Sequence, residues 1–268
     1  MVPSSVSKLA EELVAARRQG LQLDPTRAQL FPETVAQAYE VQARAAALRD
    51  EAVVAYKIGL TSDAAQQFMG AAEPIAGRLT LSDLRASPAF VTVGTHLRIV
   101  EAEIVFRIER ELPAGSAPFT EEELARCVGE IFAGIEICNS RFPDQGETLR
   151  RIVADNSNAD LLVVGERLQG CRMEDLADLP VTLTRSGGAD VMGTTAKVLG
   201  HPLKALTWLA NFLAANGGGL RPGQLVATGS CTGMTEVGYG EEVVATFGAM
   251  GRASMKFISA NAMEGLQE

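Results

Sequence analysis

Histidine is nearly missing: the 268 residues contain two, His96 and His201. Histidine-rich metal cages are thereby excluded, and a Ser-His-Asp triad has only these two residues to draw on. The four cysteines, Cys127, Cys138, Cys171 and Cys231, lack C-x-x-C spacing and are too few for a disulfide scaffold. Buried free thiols in a reducing compartment are expected. Basic charge is also short, with 24 Lys plus Arg against 33 Asp plus Glu and a formal net charge of −9. Nucleic acid and anionic membrane surfaces are therefore poor partners. No apolar run approaches the roughly 18 residues of a membrane helix, and the stretch from Met1 to Glu12 has no apolar core of secretory-leader length. A cytoplasmic protein is expected.

What remains is an ordinary globular composition, 47% hydrophobic and 21% charged. Leu9, Leu13 and Val14, then Val35, Ala38, Tyr39, Val41 and Ala45, recur at helical spacing, broken by Pro25 and Pro32. Two helices that pack on each other follow. From Ala52 the texture turns to short β-type runs, Val53–Ile58 and Leu97–Phe106. Thr120 and Glu123 form a capping box that predicts a helix through about Phe132. Pro202 opens a further helix that the glycines at 217–219 close, and two late runs, Val243–Phe247 and Ala253–Phe257, read as a hairpin. Strands and helices do not alternate regularly, so the expected class is α+β. Its expected division is a helical and α+β part over residues 1–80 and a β-rich core over 81–268.

The most informative segment is Val100-Glu101-Ala102-Glu103-Ile104. In a strand Glu101 and Glu103 point to one side while Val100, Ala102 and Ile104 take the other. Paired like charges in an apolar strand need a proton or a metal ion to neutralise them, unless they sit at a solvated edge. Glu136 is a third carboxylate in an equally apolar frame, Gly134-Ile135-Glu136-Ile137. Three converging carboxylates make a hard oxygen site suited to Mg²⁺, Mn²⁺ or Ca²⁺. Lys57, a lone cation in Val53–Leu60, reads as a base, a substrate anchor or a snorkelling strand-end lysine. Asp155 in Ala154-Asp155-Asn156 reads as an acid or as a turn cap. Cys231 has no histidine near it in sequence and reads as a structural thiol. His201 reads as a helix-start residue, and His96 as a strand-entry residue.

From about Ala55 to Phe257 these pieces, in this order, resemble the fumarylacetoacetate hydrolase family, in its 2-hydroxypentadienoate (2-keto-4-pentenoate) hydratase and 4-oxalocrotonate decarboxylase branch. The matching segments are Lys57-Ile58-Gly59-Leu60-Thr61-Ser62, Glu101-Ala102-Glu103, Ile135-Glu136 with Ser140-Arg141, Ala154-Asp155-Asn156, Gly200-His201-Pro202 and Thr228-Gly229. The resemblance implies a mixed, rolled β-sheet core with an N-terminal helical part, and a homo-oligomer. It implies a divalent metal, Mg²⁺ or Mn²⁺, on Glu101, Glu103 and Glu136, and a small 2-oxo or 2-hydroxy-dienoic acid as substrate. By the same resemblance Lys57 is the leading proton shuttle and Asp155 a secondary acid or base or a water-positioning group. Arg141, Asn156, Thr228 and Gly229 fall on substrate-binding positions, with Arg141 as a carboxylate clamp. The implied reaction is hydration of a 2-hydroxy-2,4-dienoate to a 4-hydroxy-2-oxo acid, with decarboxylation as the alternative, and a C–C hydrolase or a non-catalytic relative further off. One departure stands out: where many relatives carry Gln-Pro-Asp-Phe-Gly, this chain reads Glu73-Pro74-Ile75-Ala76-Gly77, without the acid.

Overall fold

The computed structural model describes residues 4–24, 31–92, 98–143 and 148–258. His96 and Pro25 lie outside them. Helices α1 (Ser4–Gln19) and α2 (Val35–Leu48) precede strand β1 (Val53–Gly59), helix α3 (Asp63–Met69) and strands β2 (Ile75–Thr80), β3 (Leu84–Ala86), β4 (Ala89–Val91) and β5 (Ile99–Ile108). Helix α4 (Glu121–Cys127) runs directly into β6 (Val128–Cys138), followed by α5 (Leu149–Ala154), β7 (Ala159–Arg167), β8 (Pro180–Arg185) and β9 (Val191–Thr194). The chain continues through α6 (Pro202–Ala215), β10 (Leu225–Ser230), β11 (Thr235–Glu236), β12 (Glu242–Phe247) and β13 (Gly251–Phe257).

The strands form two sheets. The larger, mixed one has the order β2-β1-β10-β5-β6-β7-β3, with β11 continuing beside β5 where β10 leaves it. The smaller has the order β4-β13-β12-β8-β9. This is the mixed-sheet α+β class read from the sequence, with the helical N-terminal part in place. The large sheet runs across residue 80, because β1 pairs with β10 in parallel and with β2 antiparallel.

Period-two alternation sorts the large sheet into two environments. One face presents Tyr56, Ile58, Val100, Ala102, Ile104, Phe106, Ile135, Ile137 and Val226 to the main core, which the small sheet completes with Val243, Ala245, Phe247, Met255 and Phe257. Helix α6 closes that core with Leu203, Leu206, Leu209 and Leu213. The opposite face has a smaller apolar floor of Ala55, Leu79, Val105, Ala159, Leu162 and Ala227. A third cluster joins α1 and α2 to Ile75, Phe142, Val153 and Ala154.

Local signals set the helix ends. Thr34 accepts the N–H of Gln37 at the start of α2, and His201 Nδ1 accepts the N–H of Leu203 at 3.0 Å at the start of α6. The Thr120–Glu123 capping box starts α4 as expected, but α4 ends at Cys127 and not near Phe132. From Val128 the chain is strand, because its apolar residues bury better in register with β5, with Phe132 opposite Val105 and Ile135 opposite Ala102. Pairing there overrides a helix start.

Candidate cation site

The carboxylates occupy the second face of the large sheet. Glu101 and Glu103 stand two apart on β5, and the antiparallel register places Glu136 of β6 directly opposite Glu101. Cys138 follows Glu136 at the same parity, and Lys57 reaches the same face from β1 through its register with Ala227. Leu162 beside Glu136 and Ala159 beside Cys138 supply an apolar frame. Glu103 and Glu136 are all but inaccessible and Lys57 is buried, whereas Glu101 is half-buried and forms the side open to solvent.

A break in one ladder makes room for the cluster. The register of β10 against β5 shifts between Ala227 and Ser230, where Gly229 takes φ +112°. This is a conformation that side-chain-bearing residues avoid, and a Cβ at Gly229 would also run into Thr61. The turned backbone aims the Gly229 N–H at Glu103 Oε2, 2.8 Å away. Thr228 donates its hydroxyl to the Ile104 carbonyl at 3.0 Å and so fixes the bulge from beneath. Both residues thus support Glu103.

The electrostatics are those of an undercompensated negative cluster. Lys57 Nζ lies 3.1 Å from Glu136 Oε1. Cys138 Sγ donates to Glu101 Oε2 at 3.5 Å. Glu103 Oε1 and Glu136 Oε2 have no hydrogen-bond partner among the described residues. Burial, and then the charge of Glu136, push the Glu101 carboxyl above the usual carboxylate range. Glu103 is pushed well above it by burial, Glu136 and Glu101. Burial by itself lowers the Lys57 pKa, but the field of Glu136, Cys138, Glu101 and Glu103 outweighs it and raises the ammonium's pKa above its ordinary value. Orphaned buried oxygens of this kind cost free energy unless something positive is placed among them. The donor set therefore fits a divalent cation.

Asp155 and Arg141 meet each other. Arg141 donates its backbone N–H to Asp155 Oδ2 and its Nε–H to Asp155 Oδ1, both at 2.6 Å, and its Nη1 lies 3.1 Å from Asp160 Oδ1. Both oxygens of Asp155 are engaged and both residues are buried. The free carboxylate clamp and the free acid or base implied by the resemblance are, in this structure, the two halves of one ion pair. Asn156 also works on backbone: its Oδ1 accepts from the Arg78 N–H at 2.8 Å and its Nδ2 donates to the Arg78 carbonyl at 2.7 Å. This pins the turn across β2, where Gly77 leaves space. A Cβ on Gly77 would run into the Asn156 carbonyl and come within 3.2 Å of Lys57 Cγ. Gly77→Ala is expected to cost about 1–3 kcal/mol through this overpacking and to lower turnover by displacing Lys57. Urea denaturation beside an activity assay checks both.

Ile75 stands on this same face, paired with Gly59 two residues beyond Lys57. The position of the missing acid is thus an apolar wall, 5% exposed and packed with α1 and α2. Cys231 is fully buried and its thiol pKa is raised by burial first and then by Glu103, as suits a structural thiol. Cys138 is the one member of the cluster that sequence reading passed over, and its spacing of two from Glu136 in a strand was the available signal.

Comparison with known proteins gives the chain a family. Residues 44–258 match the fumarylacetoacetate (FAA) hydrolase C-terminal family. The chain is 31% identical over a 274-position alignment to a 2-keto-4-pentenoate hydratase of Paraburkholderia xenovorans (strain LB400), covering 99% of each protein. It is 30% identical over 235 positions to a 4-oxalocrotonate decarboxylase of Pseudomonas putida, covering 85% of this chain and 88% of that one. Among solved structures, the 4-oxalocrotonate decarboxylase from Pseudomonas putida G7, complexed with magnesium and adipate, superposes with a TM-score of 0.85 at 27% identity, over 94% of this chain and 97% of that one.

Proposed function

Because the chain belongs to the fumarylacetoacetate hydrolase family, we propose that it is a metal-dependent hydro-lyase. It adds water to a 2-hydroxy-2,4-dienoate, by way of the 2-keto-4-enoate, to give a 4-hydroxy-2-oxo acid. The observation that carries this reading is a set of buried carboxylates with orphaned oxygens sharing one sheet face with a buried lysine, in a chain alignable end to end with a 2-keto-4-pentenoate hydratase.

In this reading Glu101, Glu103 and Glu136 hold a divalent cation, Mg²⁺ or Mn²⁺. When bound, the cation supplies positive charge for the carboxylate and C2 oxygen of a 2-oxo acid and stabilises the enolate charge that develops there. Lys57 holds a proton at Nζ. A dienol must receive a proton on carbon to ketonise and must lose one from its C2 hydroxyl. A single ammonium that gives the first and recovers the second returns to its starting state. Gly229 and Thr228 keep Glu103 aimed, while Asn156 and the Arg141–Asp155 pair hold the turn behind β2. Their part is positioning. Ile75 gives the Lys57 face an apolar neighbour where an acid would otherwise stand, which favours an uncharged substrate tail. A cytoplasmic, homo-oligomeric enzyme completes the reading. Among the described residues no helix is long and apolar enough to cross a membrane.

The test is optical. The conjugated dienoate is expected to lose its ultraviolet absorbance in the presence of the protein with Mg²⁺ or Mn²⁺, to stop doing so after EDTA, and to resume when metal is restored. Turnover that persists unchanged in EDTA would sink the proposal. The likeness to a 4-oxalocrotonate decarboxylase structure at TM-score 0.85 supports decarboxylation as the second reading, and CO₂ release from 4-oxalocrotonate separates the two.

A further inference from the structure

One donor in the cluster is not a hard one. Cys138 is 6% exposed and sits at the end of β6, two residues past Glu136 and therefore on its side of the sheet. Glu101, Glu136 and Cys138 each place a ligand atom within 4.8 Å of the others. Glu103 is not part of that triangle, and its Oε2 is occupied by the Gly229 N–H. A second observation points the same way: Glu136, 1% exposed, aims an unpartnered Oε2 into this space. An all-oxygen magnesium site gains nothing from sulfur, which favours softer and borderline metals such as Zn²⁺ and Co²⁺.

We propose that Glu101, Glu136 and Cys138 form a mixed oxygen–sulfur site that takes a borderline divalent metal, Zn²⁺ or Co²⁺, through a metal–sulfur bond to Cys138. The inference rests on the cation reading of this face and adds a donor to it. As the metal–sulfur bond forms, the S–H bond is broken and its proton passes to solvent. Two carboxylates, one thiolate, the divalent ion and the Lys57 ammonium sum to zero charge, with Glu103, held by the Gly229 N–H, standing outside that sum. The hard ion and the borderline ion share Glu101 and Glu136 and differ in the third donor, Glu103 for the one and Cys138 for the other. Cys138 therefore sets which metals compete for the site.

The experiment uses the full chain, stripped of metal with a chelator and kept reduced, titrated with Co²⁺ and followed by absorption. The expected result is visible cobalt absorption together with an intense near-ultraviolet sulfur-to-cobalt band. Cys138→Ser and Cys138→Ala are expected to keep the visible absorption and lose the near-ultraviolet band, with Zn²⁺ bound about 10-fold or more weakly and Mn²⁺ affinity unchanged. Cys231→Ser serves as the control and is expected to retain the band. Cobalt binding without the band in the unaltered protein, or a band that survives both Cys138 substitutions, overturns the sulfur site and leaves the carboxylate site standing. If neither Co²⁺ nor Mn²⁺ binds, the cation reading fails along with it.

Discussion

Glu136→Gln is expected to lower turnover by about 10²-fold or more and to weaken Mg²⁺ or Mn²⁺ binding in parallel, while the fold survives. The argument is one of charge at constant shape. Glu136 faces Glu101 across the β5–β6 ladder, meets Lys57 at 3.1 Å and has an oxygen without a hydrogen-bond partner. An amide fills the same volume but brings no negative charge to a cation. It also relieves Glu101 and Glu103, whose carboxyls burial and then Glu136 push above their ordinary range. The metal-free variant gives up the Lys57 pairing but sheds the repulsion among the three carboxylates, so its stability should stay close to the parent's. Stability retained together with activity and metal affinity lost is the signature of a group kept for function. If Glu136→Gln binds metal and turns over like the parent, Glu136 is not a ligand. If it unfolds, the Lys57 pairing was its main task. Isothermal titration with Mn²⁺ and thermal denaturation with and without metal separate these outcomes.

The second large effect concerns folding. Arg141→Ala is expected to destabilise the protein by about 3–5 kcal/mol, the usual cost of leaving one half of a buried ion pair alone. Arg141 bridges Asp155 and Asp160. Arg17 of α1 shares Asp160 at 3.1 Å and reaches Asp83 at 2.9 Å, and Arg49 approaches Asp83 at 2.7 Å. The network thus ties the N-terminal helices to the sheet edge, and the loss should spread to α1 and α2. Even with Arg141 in place, burial holds the Asp155 carboxyl above its ordinary pKa, and losing Arg141 removes the largest opposing charge and pushes it higher still. Urea denaturation measures the cost, and Arg141→Lys, which lacks the planar fork, should recover only part of it. A variant that keeps the parent's stability and shows only a raised KM would restore Arg141 as a substrate clamp.

These two residues also mark how far the sequence carries. Glu101 and Glu103 were legible because a strand forces residues two apart to one side, and their apolar neighbours named the strand. His201 and Pro202 announced α6 because capping is local chemistry. The contact of Arg141 with Asp155 depends on how the chain returns after β6, and no periodicity encodes that return. The length of α4 is hidden from the sequence for a related reason: a capping box sets where a helix begins, but its end here is decided by pairing with β5. The bulge that points Gly229 at Glu103 is likewise a property of two strands together. What can be read from the chain alone is parity and capping, and what cannot is pairing.

The strict separation of the two faces of the large sheet has a consequence for assembly of the chain itself. If β6 slid by one residue along β5 during folding, Glu136 would be driven among Ala102, Ile104 and Phe106, and Ile135 would face the lysine. Strands made only of Val, Ile and Ala would tolerate such a slip at small cost, since either face would still be apolar. Here the misaligned pairing buries a carboxylate in hydrocarbon, so the native alignment is favoured over the slipped one by the cost of that burial. The acidic residues that crowd each other in the finished protein also act as its proofreading marks while it forms.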